Sequence, residues 1–224
     1  MPLILNIETA TTVCSVALTK SGQTIAVKEM NDGYSHSENL TLFIEAIFRE
    51  INLPISSLDA IAVSKGPGSY TGLRIGVSTA KGLCFALNKP LIAINTLQAM
   101  AINIVELFSA NEQILFCPML DARRMEVYCA FYDNKNAETI KTKAIILHQE
   151  SFIEMLNNNK IVFFGNGAIK CKQILTQHQN ALFVDNIFPS AKNMAKLTEQ
   201  AFLLGQFQPL AYFEPYYLKD FISQ

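Results

Sequence analysis

The sequence predicts an α/β protein built as two tandem units, each a mixed sheet flanked by helices. Three observations lead there. Short apolar runs alternate with longer segments of helical periodicity, the pattern of strands joined by crossover helices. Each half opens with a strand, a polar turn and a returning strand, near residues 3–19 and 114–132, so each sheet also needs an antiparallel pair. The order hairpin, third strand, helix, strand, glycine turn, helix then occurs twice, although the two copies are not similar in sequence.

In the first half, residues 3–7 (Leu-Ile-Leu-Asn-Ile) read as a strand buried on both faces, and Glu8 to Thr12 as a polar break. Residues 13–19 and 24–30 are the next strands, joined by a hairpin turn at Ser21-Gly22. A helix is expected over residues 36–51, with Leu40, Phe43, Ile44, Ile47 and Ile51 on one stripe. The apolar run 58–63 is a buried strand. It meets Gly66-Pro67-Gly68, a tight connection in which glycine allows positive φ and proline fixes its own. The next helix covers residues 71–87, with Ser69 or Thr71 as its cap. A strand at 91–94 and a helix at 95–106 complete the half.

The second half repeats the style. Strands are expected at 114–120, 125–132, 142–147 and 161–164, with a short helix at 151–157. Asp121-Ala122-Arg123-Arg124 is the hairpin turn, and Gly165-Asn166-Gly167 precedes a helix at 168–175. The last helix covers residues 190–205, with Ser190 as cap and Gly205 as stop. The aromatic tail, residues 212–219, is expected to pack. The polar stretch 108–113 reads as the boundary, which makes the units 1–107 and 108–224, the last helix packing back on the first unit.

Composition narrows the function. A chain of 224 residues, 50% of them hydrophobic, has ample material for a core. The net charge is −1 and no basic stripe exists, so binding of nucleic acid by this chain alone is expected to be weak. Five scattered cysteines with no Cys-x-x-Cys pair fit reduced, buried thiols. No apolar run is long enough to span a bilayer and no signal-peptide pattern opens the chain, so a cytoplasmic protein without membrane contact is expected.

Candidate chemistry is sparse. Glu8 and Thr9, where the first strand ends, and Gly66, Gly68 and Ser69, at a helix N-terminus, are where phosphate or a hydrated metal ion could be held. Arg123 could hold an anion, or fix its turn by pairing with Asp121. Small residues also simply allow helix and strand to approach. Ser69 and Cys84 have no histidine base nearby in sequence, and His36, His148 and His178 lie far apart, so no catalytic or metal-binding residue is assigned and no cofactor is expected.

The first two helices carry more apolar and small surface than one sheet needs. Leu40, Phe43 and Ile47 on one, and Gly72, Gly76 and Ala80 on the other, are candidates for a four-helix contact with a partner. A large side chain at Ala80 is then expected to block docking and leave the fold intact.

Two hairpin-led α/β units resemble the actin-like, ribonuclease H-like superfamily. Four stretches resemble one family more closely. They are Ile4-Leu5-Asn6-Ile7-Glu8-Thr9-Ala10 with Cys14-Ser15-Val16-Ala17-Leu18, and Gly66-Pro67-Gly68-Ser69-Tyr70-Thr71-Gly72-Leu73-Arg74-Ile75-Gly76. The others are Asp121-Ala122-Arg123 with Glu126-Val127-Tyr128, and Glu214-Pro215-Tyr216-Tyr217-Leu218. Together they are similar to the TsaB family of tRNA threonylcarbamoyladenosine biosynthesis. The resemblance implies a non-catalytic subunit that binds and activates its paralogue TsaD, which modifies the adenosine beside the anticodon in tRNAs reading ANN codons. It also implies a homodimer when alone, a TsaE-type ATPase as further partner, and contact with tRNA only through the complex. The catalytic paralogue carries Asn-His-x-x-x-His after the equivalent of Pro90-Leu91. Here Thr96 and Met100 occupy the histidine positions. Superfamily members that bind nucleotide carry a second glycine-rich hairpin turn. Here that turn is Asp121 to Met125, bulky and glycine-free. A nucleotide-dependent kinase or ATPase is the alternative reading.

Overall fold

The structure, a computed structural model, describes residues 1–33, 35–108, 114–175 and 178–219. The chain runs β1 (Leu3–Glu8), β2 (Cys14–Lys20), β3 (Gln23–Met30), α1 (His36–Ile51), β4 (Ala60–Gly66), α2 (Tyr70–Leu87), β5 (Leu91–Asn95) and α3 (Thr96–Val105). It continues β6 (Ile114–Asp121), β7 (Glu126–Tyr132), β8 (Glu138–Ile146), α4 (Ile153–Asn158), β9 (Lys160–Phe164), α5 (Ala168–Leu175), β10 (Ala181–Val184) and α6 (Ala195–Leu203). It forms two compact units, Met1–Thr96 with the described residues from Pro189 onward, and Leu97–Phe188.

The first unit is a sheet of order β3-β2-β1-β4-β5, antiparallel through β3-β2-β1 and parallel through β1-β4-β5. That is the ribonuclease H-like order of an actin-like unit. Alternation along each strand gives the sheet two unlike faces. On one face Leu3, Leu5, Ile7, Val16, Leu18, Ile61 and Val63 pack against Leu40, Ile44, Ile47 and Phe48 of α1 and Val77, Ala80 and Cys84 of α2. The other face is small and polar. Asn6, Glu8, Ser15, Thr19 and Ser64 are buried there, and Asn6 Nδ2 donates to Thr19 Oγ1 at 2.9 Å. The 3-10 turn Ala191–Met194 and α6 pack on this sheet. Ser190 does not cap that segment. Its hydroxyl donates to Glu29 at 2.5 Å, and Ser15 Oγ accepts from the Ala191 N–H at 3.0 Å.

The second unit repeats the arrangement with order β10-β9-β6-β7-β8. Leu97, Met100, Ala101 and Ile104 of α3 pack with Phe116, Leu120, Ala130, Tyr132 and Val162. Leu156 of α4 and Ala168, Cys171 and Leu175 of α5 pack with Cys117, Met119, Cys129, Phe131 and Phe163. The unit limits therefore differ from a simple cut at residue 107. The apolar side of α3 is buried by the second unit, and α6 and the tail are buried by the first. Of the expected boundary, residues 108–113, all but Phe108 lie outside the described residues. Two elements differ from expectation by strength of signal. β10 has only four residues, ALFV, and β8 starts at Glu138 among polar residues.

Candidate functional site

The glycine turn and the start of α2 lie directly against the β1–β2 turn. Ser69 Oγ accepts from the Gly72 N–H at 3.3 Å, so it is the helix cap. The Ser69 N–H donates to Ala10 O at 2.7 Å, and Thr9 Oγ1 donates to Gly72 O at 2.8 Å. A Cβ at Gly68 would lie 2.3 Å from Ala10 O, one at Gly72 2.1 Å from Thr9 O, and one at Gly76 2.3 Å from Thr9 Oγ1. The row of small residues thus admits the chain's own turn. The tail closes the other side: Tyr216 N–H donates to Lys65 O at 2.7 Å, and a Cβ at Gly66 would meet Tyr216 O at 2.8 Å. Phosphate at Gly66, Gly68 or Ser69 would compete for space with Ala10 and Tyr216.

Glu8 is fully buried beneath this turn. Its Oε1 accepts from the Ala10 N–H at 2.6 Å and from the Ser64 hydroxyl at 2.8 Å. Its Oε2 has no hydrogen-bond partner among the described residues. Burial pushes the carboxyl up to about 7, against the opposing pull of those two donors. At this depth the carboxyl braces the turn through the Ala10 N–H and the Ser64 hydroxyl.

The second unit's equivalent turn is tied differently. Asp121 Oδ1 accepts from the Arg123 N–H at 2.6 Å and pairs with Lys170 Nζ at 2.7 Å. Lys170 also donates to the carbonyls of Arg124 and Glu126. So Asp121 fixes the turn through Lys170 of α5 and the Arg123 backbone, while Arg123 itself is exposed at φ 67°. Asn166 of the glycine turn caps it, its Oδ1 accepting from the Asp121 N–H at 3.0 Å. A Cβ at Gly165 would lie 2.3 Å from Met119 O. This glycine turn also packs on its own hairpin.

Thr96 and Met100 are fully buried at the start of α3. Among the described residues no three His, Cys, Asp or Glu side chains gather into a set that could hold a metal ion. His36 is buried and its Nε2–H donates to Thr11 O at 2.7 Å, tying α1 to the β1–β2 turn. Burial pushes the thiol of Cys84 up to about 12, which leaves it unreactive.

With this geometry in place, comparison with known proteins separates the readings. Residues 33–208 match the family described as TsaD, tRNA N6-adenosine threonylcarbamoyltransferase. The chain is 30% identical to a Bacillus subtilis tRNA threonylcarbamoyladenosine biosynthesis protein TsaB, covering 77% of this chain and 74% of that protein. The chain belongs to the TsaB family. A Haemophilus influenzae TsaB is 29% identical across 98% of this chain and 94% of its own length. A Pseudomonas aeruginosa structure, described as an uncharacterized protein with similarity to peptidase YEAZ, superposes with a TM-score of 0.81 at 24% identity, over 98% of this chain and all of that one. That likeness shows the fold. Membership of the TsaB family places the chain in tRNA threonylcarbamoyladenosine biosynthesis.

For this TsaB-family chain the residues expected to meet a partner lie largely inside. Leu40, Ile47, Gly72, Gly76 and Ala80 are buried in the first unit, and Phe43 is half-buried. The stripe periodicity of α1 marked the core face, and the glycine row marked the Thr9 contact. Arginine at Ala80 would enter the core and disrupt the fold, contrary to the sequence expectation. The outward face of α2 is instead Thr71, Arg74, Ser78, Gly82, Phe85 and Ala86. Phe85 is 83% exposed and Leu42 on α1 is 57% exposed. A separate apolar groove of about 530 Å³ is lined by Ile44, Phe48, Leu53, Ile55, Thr79 and Leu83, with Glu45 and Arg49 also on its wall. The available signal was the charge pattern. A solvated helix face usually carries several charges, and this one carries only Arg74.

Proposed function

We propose that the chain is the non-catalytic subunit that binds and activates the TsaD-type enzyme in threonylcarbamoylation of the adenosine next to the anticodon in tRNAs reading ANN codons. The observation that carries this reading is the α1–α2 surface. It combines, on α2, a nearly uncharged outward stripe with the exposed Phe85 and, between α1 and α2, an apolar groove flanked by Glu45 and Arg49. Exposed apolar surface of this kind marks a docking face. The TsaD family profile matches across α1 and α2, so the enzyme has an equivalent helix pair to offer. Two such pairs can meet about a pseudo-two-fold axis, and a second copy of this chain can use the same surface when the enzyme is absent. A TsaE-type ATPase joins this assembly, and tRNA is met only through it.

Two features support a non-catalytic role. The paralogue's metal-holding histidines are replaced by Thr96 and Met100, which are packed in a core. Both glycine turns are filled by the chain's own hairpin backbone. The kinase or ATPase reading has no comparable observation in its favour. The test is a tRNA modification assay with the purified TsaD-type enzyme of the same organism, with and without this chain. Modification is expected to require the chain, and Phe85→Asp is expected to abolish both capture of the enzyme and its activation. Full modification without the chain would refute the activating role.

A further inference from the structure

Arg74 is the one charge on the outward face of α2, and the tail holds it in place. Its guanidinium carbon lies 4.2 Å from the centroid of the Tyr70 ring, and its Nε donates to Tyr217 Oη at 3.2 Å. The Tyr70 and Tyr217 rings sit against each other with centroids 4.8 Å apart. Tyr217 is itself anchored. Its neighbour Tyr216 donates to Lys65 O, and Lys81 Nζ donates to the Ala211 and Phe213 carbonyls at 3.2 and 3.0 Å. Two aromatic rings and a strapped segment of chain therefore fix one flexible side chain on the exposed face.

An arginine held this way has already lost much of the rotamer freedom that binding would otherwise remove. Its Nε is committed to Tyr217, and the terminal Nη groups remain for a planar anion. Arg74 stands four residues before Ser78 and eleven before Phe85, on the same exposed stripe.

We propose that Arg74 is the charged anchor of this face, pre-positioned by Tyr70 and Tyr217 to pair with a carboxylate of the TsaD-type enzyme. The proposal rests on the docking face argued above. A protein carboxylate is favoured over an RNA phosphate because the stripe that continues from Arg74, through Ser78, Gly82 and Phe85, is small and uncharged, suited to a helix.

The experiment measures affinity of the full chain for the purified enzyme at low and high salt, after circular dichroism confirms folding of each variant. Phe85→Asp tests the face. Arg74→Ala, Arg74→Lys and Tyr217→Phe test the anchor. Expected are loss of capture for Phe85→Asp, at least tenfold weaker binding for Arg74→Ala with a flatter salt dependence, and an intermediate loss for Arg74→Lys. Tyr217→Phe keeps the ring and should weaken binding about two- to threefold, since only the pre-positioning bond is lost. If Phe85→Asp abolishes capture and Arg74→Ala binds within twofold of the parent, the anchor is refuted and the face stands. If Phe85→Asp binds normally, the face and the anchor fall together. If Arg74→Ala binds the enzyme normally and loses only tRNA retention by the complex, the anion is RNA and the proposal is overturned.

Discussion

The two units share a strand order and differ in what surrounds it. In the first, α1 and α2 have 16 and 18 residues; their counterparts α4 and α5 in the second have 6 and 8. At about 1.5 Å per residue, α2 is roughly 15 Å longer than α5. The sheets have five strands each, so the extra helix is more than sheet coverage demands. The short pair is sufficient to close a core. The long pair adds an outward surface, and there the groove and Phe85 are found. The same strand order thus carries a long helix pair in one unit and a short pair in the other.

The hairpin turns differ in a parallel way. The first is buried, braced by Glu8 and penetrated by no side chain from α2. The second is exposed and held by the Asp121–Lys170 pair. Three changes, the first with a control on the outward face of α2, probe that contrast, the largest first. Gly72→Ala puts a methyl group against Thr9 O, a backbone atom that cannot turn aside. It should destabilise the first unit by about 1–3 kcal/mol or more, as overpacking does. Gly82→Ala on the outward face of the same helix meets nothing within 4 Å and should stabilise by about 1 kcal/mol. Denaturant titration of both variants gives opposite shifts in midpoint. Equal shifts would mean that the two faces of α2 are not distinct.

The second change concerns Glu8. Its carboxyl is raised from 4.5 to about 7 in the folded chain, so the folded state binds the proton more tightly than the unfolded one. Stability therefore falls as pH rises from about 4.5 to about 7, then levels. Glu8→Gln keeps an oxygen for Ala10 and Ser64 and removes the titration, so its stability should be flatter across that window. A parallel pH profile in the two proteins would show that Glu8 is not the group responsible. Glu29 acts in the opposite sense. Burial raises it, but the Ser190 hydroxyl, Lys192 and Ser15 outweigh burial and hold it below 4.5. Its contribution is present above 4.5 and is lost on further acidification.

The smallest effect belongs to the second unit. Asp121→Asn removes the charge facing Lys170 and keeps an oxygen for the Arg123 N–H. Asp121 is 42% exposed, so a loss of about 0.5–1 kcal/mol is expected by thermal melting, and less in high salt. A loss larger than that of Gly72→Ala would invert the contrast between the two turns.

Much of this molecule was legible one residue at a time. The apolar runs, the hairpin turn at Ser21-Gly22, the Ser69 cap and the stop at Gly205 are local, and local chemistry decides them. The repeated order of elements followed, and with it the actin-like fold. The role in tRNA modification was carried by motifs that are contiguous in the chain. What only the tertiary structure decided is which surface each periodic residue faces. Leu40 and Gly76 have the spacing of a contact face, but spacing does not say whether the contact is the chain's own sheet and turn or another protein. That depends on Thr9 and Ala10, about sixty residues from the glycines they meet. Ser190 has the sequence position of a cap, because a cap needs only its own helix. It instead donates to Glu29, 161 residues away, because the segment is folded back onto β2 and β3. Long-range burial chose between readings that the sequence left equal.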